Sequence, residues 1–299
     1  MIDWLNRITV TCFFASYALA WVLEVVRIFF LRTPRLWAPV AGLAAAGCLA
    51  QTLFLWRQAA AELTAGTVFA SWFDWLVIAS WVIALAYVVL AVRRPQNGMG
   101  LFMLPLPLVF IGLAWLQRDA AAFPRRDAVG IWGMIHGSLL LAGTVTAMLG
   151  FSGGVMYLVQ SYRLKRKRSP QSGPRLPSLE WLQRFSRETS YISSGLLLLG
   201  LFAGVVLKLI QRAAVVAWTD PLVLWSALLF LWLASVALFE WRYRPARKGH
   251  KVIYLTLASG ALLGVSLLIV FFSGHAGTRA PTRDGRAAGA STTFIDSLR

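Results

Sequence analysis

Hydrophobic positions fall in eight runs separated by short polar breaks, at Ile8–Phe30, Leu36–Trp56, Val68–Val92, Met99–Leu116, Ile135–Gln160, Ser190–Ile210, Trp218–Trp241 and Val252–Phe272. Most are 20 residues or more, and an α-helix of about 20 apolar residues spans the roughly 30 Å hydrocarbon layer of a bilayer. The pattern predicts an all-α, polytopic membrane helical bundle with about eight transmembrane helices. The fourth run carries Pro105 and Pro107. Each proline removes a backbone N–H and crowds the preceding turn, so this helix is expected to kink or break there.

Composition agrees with the pattern. Apolar residues make up 58% of the 299 and charged residues 14%, against about 45–50% and about 25% in ordinary globular chains. A soluble fold could not cover so much apolar surface. The 29 Lys and Arg outnumber the 12 Asp and Glu, but they sit mainly in the breaks between runs. That placement sets topology and excludes nucleic acid as the partner.

Eighteen of the 29 basic residues fall on one side of the alternating spans, chiefly Arg27, Arg32, Arg35, Arg93, Arg94, the cluster Arg163–Arg187 and the loop Arg242–Lys251. The positive-inside rule makes that side cytoplasmic and places both termini outside. Asp3 and the lack of a small-residue cleavage pattern argue that the first run stays as a helix. Cys12 and Cys48 lie inside apolar runs, with no CxxC or CxxCH motif, so neither thiol–disulfide exchange nor covalent haem attachment is indicated.

The expected organisation is a four-helix membrane part at 1–129, a second four-helix part at 130–277 with a basic cytoplasmic linker at 161–187, and a flexible tail at 278–299. Glycine pairs four apart, Gly150/Gly154, Gly200/Gly204 and Gly260/Gly264, predict close helix packing in the second part. Among ionisable residues in the runs, Glu24, Arg27 and Glu240 lie near helix ends, where snorkelling or local pairing is cheap. Asp74, between Trp72, Phe73 and Trp75, is a candidate to pair with Lys208 or to frame an outer site.

Three histidines occur. His136 and His275 are both predicted at the outer face, whereas His250 falls in a basic inner loop. Two neutral imidazoles on opposite sides of a porphyrin make a six-coordinate iron. Trp218–Pro221 opens the seventh run at the same face, Trp218, Trp225 and Trp232 recur every seven residues, and Trp132 precedes His136 by one turn. Aromatic planes beside paired histidines suit a large flat ligand, and Lys208 and Arg212 are placed to meet its carboxylates. Interfacial tryptophans are also common for packing alone.

The stretch Ile135–Arg166 resembles the cytochrome c assembly protein family, the CcsA/CcmC and HemX-like haem-handling membrane proteins. Trp181–Leu207 is similar to its next helix, Trp218–Trp225 (WTDPLVLW) to a shortened form of its tryptophan-rich motif, and Ser273–Gly277 (SGHAG) to its closing histidine loop. The resemblance implies non-covalent haem b, with His136 and His275 as axial ligands and Trp218, Asp220, Pro221 and Trp225 as platform. It implies a cytochrome c assembly partner and apocytochrome c as partners, in a bacterial inner membrane. Leu222–Leu224 replace the charged pair that usually follows the proline, and Ala237–Glu240 carry no histidine where synthases have one. The resemblance is therefore to the HemX-like side or to a diverged CcsA-type member.

With no nucleophile–base pair, phosphate-binding loop or carboxylate dyad, the reading is a haem chaperone or lyase component, not a self-contained catalyst. The alternative is a haem-free membrane assembly or regulatory subunit, or a small-solute transporter, with the broken fourth helix as its one hint.

Overall fold

The computed structural model describes residues 9–31, 36–65, 71–94, 97–118, 131–166 and 176–210, with helical stretches within 227–238 and 253–266. Among these residues the chain is a helical bundle: α1 Val10–Val26, continued by a π-helical turn Arg27–Leu31, then α2 Trp37–Ala65, α3 Trp72–Arg93, α4 Gly100–Met103, α5 Pro105–Leu116, α6 Ile131–Lys165 and α7 Leu179–Ile210. A shorter apolar helix, α8, runs Ile253–Ser266. The expected helix at Trp218–Trp241 lies largely outside the described residues, as does the tail 278–299.

Among the described residues, five helices are long and apolar enough to cross a membrane: Val10–Leu31, Trp37–Leu63, Trp72–Arg93, Trp132–Lys165 and Leu179–Leu207. Their outward faces carry large apolar side chains, with Phe30 77%, Trp56 76% and Leu209 73% exposed. Such surface is stable only against lipid. The chain is a multi-pass membrane protein.

The fourth hydrophobic run breaks where its prolines predicted, between α4 and α5 at Leu104. In an unbroken helix the Leu101 carbonyl would accept the N–H of residue 105, and proline has none. The indole Nε1 of Trp21 on α1 donates to that carbonyl at 3.3 Å. The break is thus closed by a side chain from a neighbouring helix.

A second polar cross-link ties α1, α2 and α3. Gln51 accepts from the Tyr17 hydroxyl at 2.8 Å and donates to Ser80 Oγ at 2.6 Å and to the Val77 carbonyl at 3.0 Å. Gly47 makes room for Tyr17, since a Cβ there would lie 2.8 Å from its ring. Polar contacts between membrane helices of this kind contribute about 0.6–2 kcal/mol each.

α6 and α7 form a long antiparallel hairpin in which Leu140 packs on Gly200 and Leu197 on Gly143. Their 35 and 32 residues correspond to about 50 Å each, well beyond the hydrocarbon thickness. Here the structure corrects the linker expected at 161–187. α6 continues through Lys165 and α7 already begins at Leu179, capped by Ser178 Oγ accepting from the Trp181 N–H at 3.3 Å. The helices persist past the apolar run because they bury one another there, with Met156, Tyr157, Leu182 and Ser186 all buried.

Of the three glycine pairs, Gly154 packs against Leu257 of α8, Gly260 against Phe151, and Gly200 and Gly204 against α6, while Gly264 has no described residue within 4 Å. Both hydrophobic clusters draw on both parts of the chain. One joins Phe13, Val77 and Ile83 with Val145 and Leu197, the other Tyr87 and Met103 with Met156, Leu182 and Ile253.

Replacing Trp21 with Phe keeps the ring but orphans the Leu101 carbonyl. We expect a loss of about 1–3 kcal/mol, read as a lower unfolding midpoint in detergent. An unchanged midpoint would show that the carbonyl has another donor.

Candidate functional site

His136 lies in the second turn of α6, and its imidazole is seated in the α6–α7 interface. Nδ1 is 2.7 Å from the backbone carbonyl of Gly200. A carbonyl oxygen can only accept, so Nδ1 carries a proton, and in the neutral form of the ring the lone pair is on Nε2. Among the described residues nothing hydrogen-bonds to Nε2, and it is not among their fully buried unsatisfied atoms.

Glycine makes this seat. A Cβ at Gly204 would lie 2.7 Å from Cε1 and 2.9 Å from Nδ1 of His136. In a helix the carbonyl of one residue is overhung by the side chain one turn further on. Only the absence of a side chain at 204 lets the ring reach the carbonyl at 200. The Gly200/Gly204 pair, read from sequence as a packing device, is also the socket of the histidine.

One residue further along α6, Gly137 accommodates Trp75 of α3: a Cβ there would lie 2.9 Å and 3.0 Å from Cζ2 and Cη2 of the indole. Trp75 is the aromatic neighbour that sequence reasoning missed. Its only signal was its place in the Trp72–Trp75 cluster around Asp74. Trp132, expected beside His136, is 41% exposed on the outer surface of α6.

Asp74 is buried and caps α3. Its carboxylate accepts from the Ser71 N–H at 3.1 Å and hydroxyl at 2.6 Å, and Ser71 Oγ accepts in return from the Asp74 N–H at 3.2 Å. Gln58 of α2 donates to the other carboxylate oxygen. These contacts account for Asp74 as a helix cap; the side chain of Lys208, its expected partner, lies outside the described residues. Also outside them are His275, His250, Trp218, Asp220, Pro221, Trp225, Arg212 and Glu240. Of the tryptophan stripe only Trp232 is described, and its indole donates to Ser259 Oγ on α8 at 3.1 Å.

The arrangement presents one imidazole, oriented by its Nδ1 contact, near the start of α6. Among the described residues no three His, Cys, Asp or Glu side chains gather as a metal cluster. No family model, curated protein or solved structure matches this chain.

Gly204→Ala should push the imidazole off the Gly200 carbonyl and lower stability by about 1–3 kcal/mol, the range for overpacking a tight contact. Gly195→Ala on the same helix, where nothing lies within 4 Å, should leave the melting temperature unchanged or raised. Equal effects of the two substitutions would remove the case for a glycine-built socket.

Proposed function

We propose that this chain is a membrane haem-binding or haem-handling protein that presents haem b at the outer face of a bacterial inner membrane for cytochrome c biogenesis, HemX-like or of a diverged CcsA type. The reading takes eight spans with both termini outside, and a cytochrome c assembly partner and apocytochrome c as its partners.

The observation that supports it is the His136 seat. Histidines that bind metal commonly donate the other ring N–H to a carboxylate or backbone carbonyl, which fixes the tautomer and the ring plane. The 2.7 Å contact from Nδ1 to Gly200 does this and leaves Nε2 as the metal-facing atom. His136 and His275 would hold the iron, with Trp218, Asp220, Pro221, Trp225 and Trp132 around the porphyrin. Haem, when bound, supplies the iron and a reactive periphery, whereas the chain supplies orientation and a dry surround. The Gly200 carbonyl keeps the imidazole from turning. The transporter alternative drew on the broken helix; the carbonyl freed at Leu101 is already taken by Trp21.

Purified in detergent and given haemin, the protein should show a low-spin, six-coordinate spectrum. His136→Ala and His275→Ala should each weaken haem retention at least about tenfold, the lower bound for losing even a supporting group at a metal site. Retention equal to the parent's in both variants defeats the ligand assignment, and no retention by the parent favours the haem-free alternative. Cysteines placed at Ser138 and Ser273 should react with an impermeant thiol reagent from the side opposite one at Ser169.

A further inference from the structure

At the opposite end of the bundle from His136, a narrow crevice opens between α1, α2 and α3, lined by Glu24, Arg27, Trp37, Tyr87, Arg94 and Asn97. It encloses about 210 Å3 counting its open mouth, and its closed end has room for about one water molecule.

Glu24 and Arg27 are 1% and 5% exposed. Their contact is bidentate, with Nε donating to Oε2 at 2.8 Å and Nη2 to Oε1 at 2.7 Å, while Nη2 also donates to the Asn97 carbonyl at 3.1 Å. They pair locally, as their spacing allowed, but sunk inside the bundle instead of snorkelling to its surface. The backbone widens to a π-helical turn from Arg27 onward, a distortion often found at functional positions.

Arg94 differs from Arg27. Among the described residues it has no carboxylate within ion-pair distance. Its guanidinium lies over the ring of Trp181, 4.4 Å from the centroid, and Trp181 stacks on Phe185 at 5.1 Å. The ring orients the guanidinium without neutralising it. With Glu24 and Arg27 cancelling, the described lining of the crevice keeps one surplus positive charge, the partly exposed Arg94 resting on Trp181. Beside it in sequence, Phe29, Phe30, Leu31 and Val92 are exposed apolar residues, a surface that acyl chains cover.

We infer that this crevice binds the phosphate of an anionic phospholipid headgroup, with Arg94 at the mouth as its partner. A phosphodiester carries one negative charge, which matches the surplus. A guanidinium offers paired donors to two phosphate oxygens. Basic pockets between membrane helices are recurrent sites for such headgroups. A soluble phosphate has the same chemistry but would leave the neighbouring apolar surface without a role.

The full-length protein, in nanodiscs of phosphatidylcholine with a minor fraction of phosphatidylglycerol, should retain phosphatidylglycerol preferentially when released into native mass spectrometry. Arg94→Gln should cut that preference about fivefold, the factor for one arginine near an anionic lipid surface, and Arg94→Lys should keep most of it. Arg184→Gln, an exposed arginine paired with Glu188, should change nothing. Should Arg94→Gln fail to accumulate, Trp181→Leu removes the ring beneath the guanidinium and should give a smaller loss. An unchanged preference in Arg94→Gln, or in Trp181→Leu where that variant stands in, overturns the inference. Displacement of the lipid by millimolar inorganic phosphate would assign the crevice to a soluble anion and overturn the lipid source.

Discussion

A polar group placed in hydrocarbon has no water to turn to, so it gains by finding a partner within the chain, as the buried polar side chains among the described residues do with the exception of Ser194. The rest of the structure follows from that constraint. It forces the backbone into helices, and at the one proline break it brings the Trp21 indole to the Leu101 carbonyl. It draws Gln51 into contacts with Tyr17, Ser80 and Val77 at once. It closes Glu24 on Arg27 instead of letting either reach outward. Hydrophobic burial cannot do this work in a bilayer, because lipid is as apolar as the helix faces. Specific polar contacts and close packing at small residues decide which helices touch.

The α6–α7 hairpin shows both devices acting on one residue. Glycines bring the two helices close enough for backbone atoms to be reached across the interface, and His136 uses the opening. The bond satisfies one ring nitrogen and leaves the other with nothing to accept among the described residues. A ring fixed through one nitrogen with the other left open is what the ligand-binding reading rests on.

The bundle is also cross-tied at both ends by α3. Trp75 packs on Gly137 at one end, and Arg94 lies on Trp181 at the other. The histidine seat and the arginine crevice therefore share one rigid helix. The haem-handling and lipid-phosphate readings place opposite chemistry at these two ends, a neutral metal ligand and a surplus cation.

Much of the fold was legible in the residues by themselves. Apolar run length located the five long helices described, and the two prolines located the break, because both depend on local backbone chemistry and on the thickness of a bilayer. The register of the α6–α7 hairpin came from the structure: His136 and Gly204, Leu140 and Gly200, and Gly143 and Leu197 are each equidistant from residue 170, as antiparallel packing of consecutive helices requires. What the order of residues could not decide was which atom meets which across helices. Asp74 reads from sequence as a partner for Lys208 or a frame for an outer site, and only the structure shows Ser71 and Gln58 closing on it at the start of α3. The linker reads as loop until Leu182 and Met156 bury each other's helices. Trp132 and Trp75 look alike in sequence, and only the packing of α3 on α6 puts the second against Gly137. Helices in lipid carry little periodic signal, since polar and apolar faces are not sorted by water, so lateral choice waits for tertiary contact.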